Sequence, residues 1–306
     1  MSRMIKIRVP ATSANLGPGF DCLGLALNIW NEITFEPSEK LTYHVTGEGA
    51  EKLNKGTHLP WQAVPGRNLL TKAFTLIHEV CGKDMKGVKI HSQNEIPMSS
   101  GLGSSAAAIM AGMFGANEML GNPLNENEIL KLATEMEGHS DNVAPALFGG
   151  LVVSVMSGDE IITRRYEIPE LTIVIVKPNV QLSTRVARAV LPKSVSRTDA
   201  VFNIGRTPLV IDALRNGDIE LLQKIMEDRI HQPYRLKHIT RGMPAYRVAK
   251  QFGAAALSGA GPSLIVFVPP ENVEKVKKEI NKAFNELGIE TRSFVTKPSR
   301  FGVLRI

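Results

Sequence analysis

The sequence predicts an α+β protein of two closely associated domains, each built from two layers. Three observations carry that expectation. The chain has 306 residues, which exceeds one minimal core and suits two domains of about 150 residues. Hydrophobic residues make up 43% against 22% charged, enough apolar surface to offset the entropy of ordering. Strand-like and helix-like segments also mix without a repeating period or a low-complexity linker.

Along the chain, Ile5, Ile7 and Val9 alternate with Lys6 and Arg8 before Pro10, the period of a strand with one buried face. A functional loop is expected next. Residues 41–45 read as a strand, and 68–80 as a helix with Leu69, Leu70, Ala73, Phe74 and Ile77 on one side. A short strand at 88–91 leads to Pro97. Residues 104–120 form a buried helix dense in Ala and Met, closed by Gly121-Asn122-Pro123, with Gly112 and Gly115 permitting close packing. A second helix starts from a cap at Asn125, with Glu128 three residues on, and runs to Gly138. A strand at 151–155 closes the first domain, so the expected division is 1–157 and 158–306, at the turn Ser157-Gly158-Asp159. Beyond it, strands are expected at 171–176, 264–268 and 289–294, and helices around 183–190, 219–229 and 271–287.

The formal charge of +6 raises the local concentration of anionic ligands such as nucleotides. It does not point to nucleic acid. The dense basic segments, Lys275 with Lys277 and Lys278, and Arg164 with Arg165, lack the interleaved aromatics that stack on bases. Cys22 and Cys81 are the only cysteines, which excludes a disulfide framework or a four-cysteine zinc site. The segment MSRMIKIRVPATS lacks a signal-peptide apolar core, and the small-apolar run 106–116 is too short to span a bilayer. A cytoplasmic protein is expected.

The most informative segment is 96–108, IPMSSGLGSSAAA. Gly101 and Gly103 let the backbone adopt conformations closed to other residues and let phosphate oxygens approach the amides; Ser99, Ser100, Ser104 and Ser105 add donors. The helix that follows aims unsatisfied N–H groups and a positive dipole end at the same place. Residues 101–106 also fit a loose GxGxxG/A dinucleotide pattern. Ser92-Gln93-Asn94-Glu95 and Pro97 precede it, whereas that pattern belongs directly after a buried apolar strand. No GxxxxGK[ST], HRD or DFG occurs, which excludes the P-loop and protein-kinase templates.

Three more clusters carry polar chemistry. PATSANLGPGFD at 10–21 supplies Asn15 for hydrogen bonding and Asp21 to pair an ammonium group. EMEGHSDNVAP at 135–145 sets carboxylates at a helix end, where Mg²⁺ on ATP takes one or two of them. His139 and Asp141 alone lack the third ligand of a transition-metal site. GAAALSGAGPS at 253–263 either closes around a ligand or makes a tight turn.

In order and spacing these clusters resemble the GHMP kinases, the superfamily named for galactokinase, homoserine kinase, mevalonate kinase and phosphomevalonate kinase, from Pro10 to Ser263. PATSANLGPGFDCLGLAL and GHSDNVAPALFGG are similar to the homoserine kinase branch, with Ser140 departing from a common proline. The resemblance implies a ribosomal-S5-like N-terminal domain and a ferredoxin-like C-terminal domain. It implies ATP and Mg²⁺, L-homoserine as substrate, and a role in threonine biosynthesis. Neither nucleic acid nor membrane is an expected partner, and a homodimer is a possible assembly. It further implies ATP contacts at Asn68 and at Pro97, Met98, Ser99, Ser100, Gly101, Leu102, Gly103, Ser104, Ser105 and Ala106. For Mg²⁺ it points to Glu135, with Glu137 as second choice, and Ser104. Substrate contacts fall on Asn15, Asp21, His139, Arg188 and Arg235. Asp141 matches a catalytic base; Asn142 could instead orient the hydroxyl while the phosphate takes the proton.

Overall fold

The structure, a computed structural model, describes residues 4–54, 68–85 and 87–306. β1 (Ile5–Ala14) opens with the expected alternation, burying Ile5, Ile7 and Val9. It does not stop at Pro10. A bulge between Pro10 and Ala11 lets the strand continue, so only residues 15–22 of the expected loop are loop. β2 (Leu23–Pro37), with 15 residues, is a strand the sequence reading passed over, and it lies antiparallel to β1. β3 (Thr42–Gly47) is followed by the short α1 (Ala50–Leu53), and then by α2 (Leu69–Val80), whose buried side includes Leu70, Ala73, Phe74 and Ile77. β4 (Val88–Asn94) runs antiparallel to the second half of β2 and parallel to β3.

α3 (Ser104–Met119) lies across β1 and is flanked by α2 and by α4 (Glu126–Glu137). The glycines in α3 serve the expected close packing. A Cβ at Gly112 would stand 2.1 Å from the Leu70 carbonyl oxygen, and one at Gly115 would stand 2.3 Å from the Phe35 ring. In α4 the Asn125–Glu128 capping box is formed, and Gly138 ends the helix at φ +90°. α5 (Ser140–Phe148) was not anticipated as a helix, because Pro145 and a polar first turn hide its period. It rests on β1, β2 and β5 (Leu151–Ser157). β6 (Glu160–Tyr166) pairs with β5, starting at Ser157 opposite Glu160. The expected domain boundary at Ser157-Gly158-Asp159 is therefore the tip of a hairpin inside one sheet.

The second unit starts at β7 (Ile173–Pro178) and continues through α6 (Thr184–Ala189), α7 (Arg197–Asn216), α8 (Ile219–Ile225), α9 (Gln232–Arg235) and α10 (Gly242–Ala249). β8 (Ala254–Leu257), β9 (Leu264–Phe267), α11 (Val273–Asn285) and β10 (Thr291–Thr296) complete it. Its four strands run in the order β10-β7-β9-β8 with every neighbour antiparallel, the arrangement of a split βαβ, ferredoxin-like sheet. The chain then returns to the first unit. Residues 299–303 seat the C-terminal end of α5: the Gly150 N–H donates to the Ser299 carbonyl (2.8 Å) and the Val303 N–H to the Ala146 carbonyl (2.7 Å). β11 (Leu304–Arg305) then pairs with β1 and makes the first sheet seven-stranded. Two domains of mixed helix and strand result, as predicted. No helix among the described residues is long and apolar enough to cross a membrane.

Candidate active site

The Pro97–Gly103 turn joins β4 to α3 and is held from below. Ser100 Oγ donates to the Pro97 carbonyl (2.7 Å), the Leu102 N–H to Ser100 Oγ (3.3 Å), and the Thr12 N–H to the Leu102 carbonyl (3.1 Å). Ser258 Oγ donates to the Gly101 carbonyl at 2.8 Å. Much of the fourth cluster is thus β8, and its turn clamps the serine-glycine loop from the second unit. Gly101 (φ +79°) and Gly103 (φ +66°) occupy left-handed backbone, and so does Ser99 (φ +51°). A Cβ at Gly103 would lie 1.9 Å from Thr12 Oγ1. Gly103 caps α3 without a side-chain hydrogen bond, so the first-turn amides remain available to an anion.

These amides face a cavity of about 280 Å³ lined from both units. Met98, Ser99, Ser100, Gly101, Gly103, Ser104 and Ser105 line it, together with Tyr43, Leu53, Leu69 and Asn68, which caps α2 by accepting from Leu70 and Thr71. Pro97, Leu102 and Ala106 do not line it. Their side chains are buried beneath the loop.

Asn15, Asp21, His139, Asp141, Asn142, Arg188 and Arg235 also line the cavity. Arg188 donates to both Asp21 oxygens, each at 2.9 Å, across the two units. Burial lowers the tendency of Arg188 to hold its proton, but the hydrogen bond and charge of Asp21 outweigh it and raise its pKa. Arg235 is buried, donating to the carbonyls of Ala187 (3.1 Å) and Gly259 (3.2 Å), and burial together with nearby Arg188 lowers its pKa. Asn15 is already engaged: its Oδ1 accepts from the Asp21 N–H and its Nδ2 donates to Gly259, both at 2.9 Å. It sets the position of Asp21.

Glu137 lines the cavity, whereas Glu135 is exposed and does not. Two positions along a helix differ by about 200° of rotation, so the two carboxylates leave α4 on opposite sides. Of the two, Glu137 is the carboxylate that faces the cavity. Ser105 Oγ donates to Glu137 Oε2 at 2.5 Å, and no cation pairs with Glu137 among the described residues. Burial pushes its carboxyl above the ordinary range, only partly offset by Ser105 and His139. His139 Nδ1 donates to Asp141 Oδ1 at 2.6 Å; burial works against its charge, but Asp141 and Glu137 prevail and raise its pKa. Asn142 Nδ2 contacts the same Asp141 oxygen at 3.4 Å, while its Oδ1 accepts from Thr12 Oγ1 at 2.8 Å.

Comparison with known proteins accords with this geometry. The family model of the GHMP kinases N terminal domain matches residues 68–150, and that of the GHMP kinases C terminal matches residues 210–286. Homoserine kinase of Moorella thermoacetica is 40% identical over 303 residues, covering 98% of this chain and 99% of its own. The chain belongs to the homoserine kinase family of GHMP kinases. Homoserine kinase of Carboxydothermus hydrogenoformans is 41% identical, covering 98% of this chain and 96% of its own. The crystal structure of homoserine kinase from Cytophaga hutchinsonii superposes with a TM-score of 0.84 at 31% identity, covering 100% of this chain and 98% of that one.

One network of this GHMP kinase escaped sequence reading. Asp228 is buried and accepts from the N–H groups of Ile230, His231 and Gln232 and from Asn203 Nδ2. His231 donates from Nε2 to the Gly17 carbonyl (2.9 Å) and accepts at Nδ1 from Arg235 (3.3 Å), a neutral ring whose pKa burial lowers. The Asn203 amide and the Thr207 hydroxyl both reach the Pro18 carbonyl. Together they fasten the 15–22 loop that carries Asp21. The available signal was His231 in the segment HQPYR, which ends in Arg235. Asp228→Ala leaves several buried donors unmatched and is expected to cost on the order of 3 kcal/mol, read from the denaturant midpoint.

Proposed function

We infer that this GHMP kinase transfers the γ-phosphoryl group of ATP to the side-chain hydroxyl of L-homoserine, giving O-phospho-L-homoserine for threonine biosynthesis. One observation carries the reading: a single cavity is lined both by a helix N-terminus without a side-chain cap and by a mixed set of carboxylate and guanidinium groups. The first suits a triphosphate, the second a zwitterion.

In this reading the amides of Ser104 and Ser105 and the hydroxyls of Ser99 and Ser104 bind phosphate oxygens, with the nucleoside towards Asn68. Glu137 and the Ser104 hydroxyl fit Mg²⁺, since a buried carboxylate without a cation is balanced by one and the ion takes few protein ligands. Bound there, Mg²⁺ would supply neutralisation of phosphate charge. The substrate ammonium takes Asp21, its carboxylate takes Arg188 and Arg235, and His139 supplies a further donor. An existing Asp21–Arg188 pair makes this an exchange of partners in which no charge is left bare. The hydroxyl oxygen forms its bond to the γ-phosphorus as the bond to ADP breaks, and the hydroxyl proton passes to Asp141. Asn142, fixed by Thr12, orients the hydroxyl.

Release of ADP from MgATP in the presence of homoserine, mevalonate, shikimate or galactose tests the reading. Homoserine alone should support turnover; release with another alcohol and none with homoserine overturns it.

The two helix carboxylates separate in the same assay. Glu137→Gln should lower turnover at least about 10²-fold and raise the Mg²⁺ requirement, while Glu135→Gln stays near wild type. Stability supplies a second readout. The folded Glu137 holds its proton more tightly than the unfolded one, so its contribution is present at low pH and is lost as pH rises from the ordinary value of 4.5 through the raised one. Without metal, the fall in Tm over that range should be smaller in Glu137→Gln.

A further inference from the structure

The stretch 45–54, from the end of β3 through α1, is closed on itself and on β4. Asn54 clasps Val45 twice, its Nδ2 donating to the Val45 carbonyl (2.7 Å) and its Oδ1 accepting from the Val45 N–H (2.9 Å). Glu48 and Asn94 are joined in the same manner. The Glu48 N–H donates to the Asn94 carbonyl (2.9 Å), and the Glu48 carbonyl accepts from Asn94 Nδ2 (3.2 Å). Gly49, at φ +79°, comes so near Met98 that a Cβ there would stand 2.1 Å from its sulfur and 3.4 Å from Leu53 Cδ1. Leu53, Asn94 and Met98 line the cavity, so this stretch of the first unit shapes part of its wall.

The second unit takes hold of the same stretch. Arg292, on β10, donates from Nη1 to Glu48 Oε1, and its guanidinium lies 4.6 Å from the centre of the Phe294 ring. The Arg292 side chain is 60% exposed and that of Glu48 23%, and the groove they line also holds Glu51 and Glu95. An ion pair this open adds little to stability. It can still fix a position, because the Glu48 backbone is bonded to Asn94 and a shift of its side chain is passed on to the cavity wall. We propose that Arg292 is a positioning residue for ATP: through Glu48 it holds the 45–54 stretch, and with it Leu53, Asn94 and Met98, in the place the nucleotide needs. This role rests on the reading that ATP occupies the cavity.

Steady-state kinetics of the full chain test it, together with calorimetric titration of the Mg²⁺ complex of adenylyl imidodiphosphate, a non-hydrolysable ATP analogue, without homoserine. Arg292→Glu sets a carboxylate against Glu48, with Glu51 and Glu95 in the same groove, and should raise KM for ATP and Kd for the analogue about tenfold. A merely structural role would not separate these from the other constants: kcat, KM for homoserine and Tm should stay near wild type. Glu48→Arg sets two guanidinium groups together and should act alike, and the double variant Arg292→Glu/Glu48→Arg should regain tight binding. Lys297→Glu is the control, since the exposed Lys297–Glu170 pair it breaks involves no residue of the stretch, and it should change nothing. Unchanged binding in Arg292→Glu, or a double variant as weak as the single ones, overturns the positioning role alone. A wild type that does not bind the analogue overturns the assignment of ATP to the cavity, and the role with it.

Discussion

Asp141→Asn should lower turnover about 10²- to 10⁴-fold while the protein stays folded. Asp141 is buried at the start of α5, and one of its oxygens takes the His139 N–H at 2.6 Å. The second oxygen has no hydrogen-bond partner among the described residues and can receive the substrate proton. Asparagine keeps the shape, but either its NH₂ group faces the hydroxyl and cannot take a proton, or it turns towards His139 Nδ1–H and breaks that hydrogen bond. Because ammonium and carboxylate recognition belong to Asp21, Arg188 and Arg235, KM for homoserine should change much less than kcat. Steady-state kinetics together with a melting curve check both halves. Turnover near wild type would remove Asp141 as an obligatory base and leave the proton to the phosphate.

Gly103→Ala should be nearly as damaging by a different route. Left-handed backbone costs an L-residue about 1–2 kcal/mol, and the added Cβ would also meet Thr12 Oγ1 at 1.9 Å and Asn142 Oδ1 at 3.1 Å. Relieving that clash separates Thr12 from Asn142 and tilts the first turn of α3, whose amides are the phosphate donors of the proposed site. A fall of at least about 10²-fold in kcat/KM for ATP is expected. Gly158→Ala is the control. Gly158 also sits at positive φ (+62°), but with nothing within 4 Å, so it carries the conformational cost without the clash and should keep full activity.

Local order was legible wherever a single helix or strand settles its own pattern. The α4 capping box, the glycines of α3 and the alternation of β1 are all of this kind. Long-range order was not. β2 escaped notice because it changes partners along its length, pairing with β5 at Leu23–Leu25 and with β4 from Glu32, so its two ends are buried differently. α7 escaped because Gly205 and Pro208 interrupt it and Val201, Ile204 and Leu209 are apolar yet exposed, which blurs the helical period. The serine-glycine loop was identified from its composition, but not the side to which each residue turns: Leu102 and Ala106 lie within the segment yet belong to the core. Glu135 and Glu137 show the same limit, since both suit a metal and only helix rotation distinguishes them. Asp228 gave no signal, because its partners are mostly backbone N–H groups that no spacing reveals.

The seating of α5 on residues 299–303 constrains how the protein is made. On a ribosome adding about 5–20 residues per second, on the order of ten seconds separates the end of α5 from Ser299. Throughout that interval the helix whose first turn carries Asp141 lacks the hydrogen bonds that finish its far end, and β1 lacks its outer neighbour. The first domain to emerge is thus the last to be completed, and the nascent chain carries an unfinished sheet edge while the second domain is still being synthesised.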